Sequence, residues 1–324
     1  MSKCAKKRYR CSRKTRIAGF LLLLSTVILL YFNLFQDIEC VVSDTYQPSK
    51  LDVDTIEIAV ENTSICTNNT MYVVAIHSAS DNIRARLAIR NTWGNLSDLH
   101  VPVIFFIGLS ISKTVNDDLI DEFKAYQDLV LGNFIDTYRN LTWKHLMLLN
   151  WTKKFCPTAK YVLKFDDDIL ADVRAMTSYL DRLDNNTSII CSIVSKAMVQ
   201  RGARSKWCVP KQEYCNGTYP LYCNGFAVAY PMQSIPSLLN LSKEADYFWI
   251  DDVFVTGILA EKAKIQRVSA DIFVLPSDFI LKIIVKHQSE GKARTIFKDK
   301  YIVPLENQRD RDLAQLWHRL RKAF

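Results

Sequence analysis

The sequence predicts an α/β chain built on a mostly parallel, doubly wound sheet. Two observations carry that prediction. Short apolar runs alternate with amphipathic stretches of about ten to fifteen residues, the pattern of buried strands joined by crossover helices. One of those runs, Tyr161 to Phe165, ends in three consecutive carboxylates, Asp166, Asp167 and Asp168, and apolar Ile169 and Leu170 follow at once. Ligands of doubly wound sheets bind beyond the carboxyl ends of strands, which is where the triplet falls.

Taken in order, Met71 to Ala79 reads as the first strand, and Arg84 to Trp93 as a helix with Arg86 and Arg90 on one face. Val101 to Gly108 is a second buried strand. Asp117 to Asp128 is an amphipathic helix with Leu119, Phe123 and Tyr126 on one side, and Leu141 to Phe155 is another. The second half is less regular. Ile189 to Val194 reads as a strand, Arg201 to Cys223 as a loop rich in Cys, Gly and Pro, and Asp251 opens a helix running to about Lys262. Ile280 to Val285 reads as a late strand delivering His287, and Asp310 to Phe324 as a charged helix.

The net charge of +8 does not indicate nucleic-acid binding. Eight of the 42 basic residues lie in the first sixteen positions; the other 34 match the 34 acids, so the body is neutral. Ile17 to Phe35 is a nineteen-residue uncharged apolar stretch, long enough to cross a bilayer. The basic excess before it orients the N-terminus to the cytosol. The expectation is a basic tail (1–16), a signal-anchor span (17–35), a stem (36–70) and a lumenal domain (71–324). Nine N-glycosylation sequons, at Asn62, Asn68, Asn95, Asn140, Asn150, Asn185, Asn186, Asn216 and Asn240, agree with a lumenal body. Seven cysteines lie beyond the span, so most should pair in an oxidising compartment, and Cys40 could link two chains. Zinc is the rival reading for Cys208, Cys215 and Cys223, but their spacing fits no common zinc pattern.

Three adjacent carboxylates between apolar segments repel one another and need a cation or a proton. Asp166 and Asp168 point to one side of an extended backbone, which suits one hard divalent ion that completes its shell with substrate phosphates. The bland alternative is a solvated turn in which Asp172 caps the next helix. No Gly-rich phosphate loop exists among the nine glycines. Arg86 and Arg90 are candidates for contacts to substrate phosphates, because guanidinium forks match phosphate oxygens. A salt bridge within the sheet is the equal alternative. Trp93 reads as a core residue.

The stretches RLAIRNTWG from Arg86, Val103 to Gly108, Glu122 to Lys144, KFDDD from Lys164, YPLYCNG from Tyr219, and Asp251-Asp252-Val253 occur in this order. Together they resemble glycosyltransferase family 31, the β-1,3-galactosyltransferase and β-1,3-N-acetylglucosaminyltransferase family, over roughly Tyr72 to Lys300. The resemblance implies a GT-A domain that binds a UDP-sugar donor and a divalent cation such as Mn²⁺, and transfers a hexose, galactose first, to a glycan hydroxyl with inversion. It implies that Asp168 coordinates the ion with His287 completing the shell, that Asp166 faces the ribose and metal waters with Asp167 beside it, and that Asp252 is the base. It also implies a Golgi membrane location. Many members carry Glu-Asp-Val where this chain has Asp251-Asp252-Val253, and the middle acid of the triplet varies among them. Asp136, Tyr138 and Lys144 match a further motif with no chemical step. A lectin of the same fold is the competing class, disfavoured because Asp168 and Asp252 are both present. A glycosidase is disfavoured because its carboxylates need no cation.

Overall fold

The computed structural model describes residues 20–21, 23–27, 50–183, 187–269 and 302–304. Packing divides the chain into two units, one formed by residues 47–198 and 218–324, the other by 1–46 and 199–217. The first contains a sheet of eight strands: β1 (Ile58–Val60), β2 (Tyr72–His77), β3 (Val103–Leu109), β4 (Leu129–Ile135), β5 (Tyr161–Asp166), β7 (Ile189–Val194), β8 (Tyr222–Pro231) and β9 (Arg267–Ser269). Two short strands, β6 (Ile169–Ala171) and β10 (Ile302–Pro304), pair separately. The spatial order of the eight is β1-β4-β3-β2-β5-β8-β7-β9.

The sheet is more mixed than the sequence predicts. From β4 through β3 and β2 to β5 it is parallel, but β1, β8 and β7 join antiparallel. The pattern shows why. β2, β3 and β5 are nearly continuous apolar runs buried along their lengths, as two-sided cover requires. β4, β8 and the helix Ile235–Ser242 are elements that the apolar pattern does not predict, and β8 enters the sheet without a crossover helix that a helical period would reveal.

Helices α1 (Ile83–Arg90), α2 (Lys113–Tyr126) and α4 (Val173–Leu180) cover one face; Ile89, Trp93, Leu119, Met176 and Leu180 pack there against Val74, Phe105, Leu163 and Phe165. Each such buried side chain contributes about 1.5–3 kcal/mol. Helix α3 (Leu141–Phe155) covers the opposite face, where Trp151 meets Phe106 edge-on at 5.8 Å. Phe105 and Phe106 thus serve opposite faces, as strand alternation demands.

Residues 50–70, expected in the stem, belong to the folded body. Leu51 and Val53 are buried, β1 extends the sheet beside β4, and Cys66 is bonded to Cys156. Three strand residues are too few for a period to appear in the sequence. A second disulfide, Cys191–Cys223, joins β7 to β8.

In the other unit, residues 199–217 close on the Arg201 guanidinium, which donates to the carbonyls of Val209, Tyr214 and Asn216 at 2.6, 2.8 and 2.8 Å. Cys208 is disulfide-bonded, whereas Cys215 is exposed and free. Residues 20–21 and 23–27 are helical. Among the described residues, no helix is long and apolar enough to cross a membrane. Most of the Ile17–Phe35 stretch lies outside the described residues, as do Cys40, His287, Asn185, Asn186 and the elements expected at 280–285 and 310–324.

Candidate active site

The chain runs from β2 outward to β3 and β4, then returns so that β5 lies on the other side of β2. This reversal creates a crevice beyond the carboxyl ends of β2 and β5, the usual ligand site of such sheets. The paired residues there are His77 and Asp166. Asp166 ends β5, and Asp167 and Asp168 form the turn before β6.

The three acids differ in their surroundings. Asp166 accepts from Lys164 Nζ at 2.6 Å, and Asp167 accepts from Asn82 Nδ2 at 2.9 Å. Burial raises the Asp167 carboxyl despite that bond. Among the described residues no cation pairs with Asp168, whose outer edge is open to solvent. Lost solvation, then the charges of Asp166 and Asp167, push its carboxyl up to about 6. An acidic edge short of positive charge fits a hard cation. Among the described residues, no group of three His, Cys, Asp or Glu side chains forms a metal site by itself. Asp172 does cap the following helix, accepting from Ala175 N at 3.0 Å. Capping and the acidic edge therefore coexist.

Asp252 stands at the start of a π-helical segment, Val253–Leu259. Such segments are rare and concentrate at functional sites. Its Oδ1 accepts from Val253 N at 2.7 Å. Its Oδ2 lies beside Gly225, where an added Cβ would come within 3.3 Å of that oxygen and 3.1 Å of the Asp252 Cβ. Burial, then the adjacent Asp251 charge, push the Asp252 carboxyl up to about 7.

Lys164 links the two acidic regions. Its ammonium is buried between β5 and β8, 2.6 Å from Asp166 Oδ1 and 2.5 Å from the Gly225 carbonyl. Burial alone would lower its affinity for the proton, but Asp166 and Asp251 hold it above the usual range. Asp166 and Asp252 are thus gathered around one buried cation.

Arg86 and Arg90 are not part of that cluster. Every N–H of Arg86 is engaged, by Glu122, Ser78 Oγ and the carbonyls of Ala79 and Ser80. Arg90 forms two bonds of 2.8 Å to Asp128, lies 2.7 Å from Glu122 and stacks on the Tyr126 ring at 4.0 Å. Of the two roles the sequence left open, this geometry is that of the ion pair. Arg86 has no donor left to offer a phosphate, whereas Arg90 Nη1 is buried against Glu122 without a hydrogen bond of its own. Asp136 and Lys144 form a buried pair that also holds the Ser78 carbonyl, tying β4, α3 and the end of β2 together. Trp93 is a core residue, donating to the Ile169 carbonyl at 3.1 Å.

A profile described as Galactosyltransferase matches residues 84–271, more than half of the sequence. The chain belongs to the galactosyltransferase family. Lactosylceramide 1,3-N-acetyl-beta-D-glucosaminyltransferase A of Xenopus laevis is 34% identical over 222 residues, covering 63% of this chain and 57% of that protein. Beta-1,3-galactosyltransferase 5 of Homo sapiens is 29% identical over 198 residues, covering 60% and 64%. N-acetyllactosaminide beta-1,3-N-acetylglucosaminyltransferase 4 of Homo sapiens is 29% identical over 195 residues, covering 59% and 52%. The matched region is less than two-thirds of each relative's length.

The family match runs from α1 to just past β9 and so includes the triplet, Lys164 and the Asp251-Asp252 pair. In this galactosyltransferase-family chain, sequence reasoning passed over Lys164, His145 and Tyr230. Lys164 had a signal, since a lone charge inside an apolar strand needs a buried partner. His145 had none, because nine residues of α3 are buried and no polar face marks it out.

Proposed function

We propose that the chain is a metal-dependent, inverting glycosyltransferase of GT-A type that moves a hexose from a UDP-sugar to a glycan hydroxyl in β-1,3 linkage. The observation that carries this reading is Asp252, a carboxyl poised near neutrality beside the acidic edge at the switch point. A base with its pKa near working pH combines sufficient ionisation with sufficient basicity. Asp252 takes the proton of the acceptor hydroxyl as that oxygen bonds to the anomeric carbon from the face opposite the leaving group. The bond from the anomeric carbon to the diphosphate oxygen breaks, and UDP departs with the electron pair. Asp168 with His287 would hold an Mn²⁺-type ion, which supplies Lewis-acid stabilisation of the departing diphosphate. Asp166, oriented by Lys164, is assigned to the ribose side, with Asp167 beside it.

Galactose is the first choice of donor, and N-acetylglucosamine the second because the relatives' names include both. The test is UDP release by the domain beginning near Lys50, given UDP-galactose, UDP-GlcNAc or UDP-GalNAc with Mn²⁺ and glycan acceptors. Asp252→Asn preserves the cap and should lower turnover about 10²–10⁴-fold while UDP binding persists. Unchanged turnover moves the base elsewhere, and no transfer by the wild type favours a lectin. The basic tail and the 17–35 span support a Golgi membrane location, single-pass type II, with the domain in the lumen. Protease digestion of that domain in sealed microsomes would reverse the orientation.

A further inference from the structure

We propose that His145 and Tyr230 are positioning residues for the base, holding the Asp251 carboxylate in place beside Asp252. The proposal rests on the reading of Asp252 as base. His145, from α3, is fully buried; its Nδ1 lies 2.8 Å from Asp251 Oδ2 and its Nε2 lies 2.9 Å from the Tyr230 hydroxyl.

The direction of both bonds follows from chemistry. Burial holds the Tyr230 phenol well above its usual range, so it keeps its proton and donates to Nε2. Burial holds the imidazole below its usual range, so it stays neutral and carries its single proton on Nδ1, which donates to Asp251. Tyr230 thereby selects the tautomer that anchors the acid. For Asp251, burial favours the neutral form, but the His145 bond and the Lys164 charge prevail and keep it ionised. Its charge then faces Asp252 across adjacent residues.

The other groups around this chain and Asp252 are His77 from β2, Lys144 from α3, Lys164 and Asp166 from β5, and Tyr222 from β8. His77 meets the His145 ring edge-on at 5.2 Å, and its Nδ1 is 4.0 Å from Asp251. The arrangement also accounts for the short acid at 251. With the shorter acid, the carboxylate meets the imidazole at hydrogen-bond distance, 2.8 Å.

The test is the pH dependence of kcat/KM for UDP release, with UDP binding and thermal unfolding measured in parallel. Asp251→Asn should move the acid limb down by about one pH unit, because a like charge beside the base is removed. His145→Ala should move it in the same direction, and Tyr230→Phe by less. His145→Asn places an N–H near the Nδ1 position and should restore the wild-type limb. An acid limb that stays in place in Asp251→Asn and Tyr230→Phe, with UDP binding intact, overturns the proposal and leaves a purely structural network. Those two near-isosteric variants carry the test if His145→Ala fails to fold. Retained turnover in Asp252→Asn instead removes the base assignment itself, a separate failure.

Discussion

The Lys164 ammonium lies 2.6 Å from the Asp166 carboxylate, and the two partners are unequally buried: the lysine side chain is 2% exposed and the aspartate 38%. The lysine therefore depends on the pair far more than the aspartate does. Asp166→Asn strands a buried charge and should cost about 3–5 kcal/mol, reduced by the remaining attraction of Asp251 and Asp252. Lys164→Met removes that charge and leaves Asp166 open to water and Asp251 still bonded to His145, so it should cost less. Urea midpoints of the two variants check the order; the reverse order would mean that Asp166 is the member needing compensation.

Glu122 should make the fold acid-sensitive. Burial disfavours its charge, but Arg86 and Arg90 overcome that and hold its carboxyl below the usual range. A depressed carboxyl contributes stability that is present above its unfolded pKa of about 4.5 and lost as pH falls through the folded value. Glu122→Gln should lose about 3–5 kcal/mol at neutral pH, because two guanidiniums lose a buried partner. It should also flatten the acid side of the stability curve. A wild-type slope below pH 4.5 in the variant would place the acid sensitivity elsewhere.

Asp168 should behave in the opposite sense. Its carboxyl is raised to about 6, so the folded state binds its proton more tightly than the unfolded chain does. Metal-free stability should therefore fall as pH rises from about 4 towards 6, and stay lower above that. Asp168→Asn should reduce the fall, leaving the part due to Asp167 and Asp252, and leave metal-free stability unchanged or raised, while metal-supported UDP binding collapses. Retained Mn²⁺-dependent binding in that variant would displace the metal from Asp168.

Gly225→Ala should separate placement of the base from stability. The new methyl meets Asp252 at 3.1 Å, tighter than ordinary contact, so the carboxylate must move. Turnover should fall, by up to about 10²-fold, the cost of a misplacement of about 1 Å. The unfolding midpoint should change little. Wild-type turnover would mean that Asp252 tolerates displacement and is not the base.

By itself, the sequence determined the elements whose signal is local. The buried strands at 72–77 and 103–109 and the helix at 141–155 follow from runs and periods that a short window contains. The placement of the acid triplet at a strand end follows from the same reading. The ordered motifs likewise carried the family. Only the tertiary structure decided what depends on contacts between distant segments. It placed residues 58–60 on the sheet edge, joined β8 antiparallel to both β5 and β7, and paired Arg86 and Arg90 with Glu122 and Asp128. It also joined His145, Asp251 and Tyr230, three residues from a helix, the start of a second helical segment and a strand that the linear pattern never brings together. The physical reason is burial. A charged or polar side chain leaving water must find a partner, and the residue that provides it is chosen by the packing of sheet and helices, not by spacing along the chain.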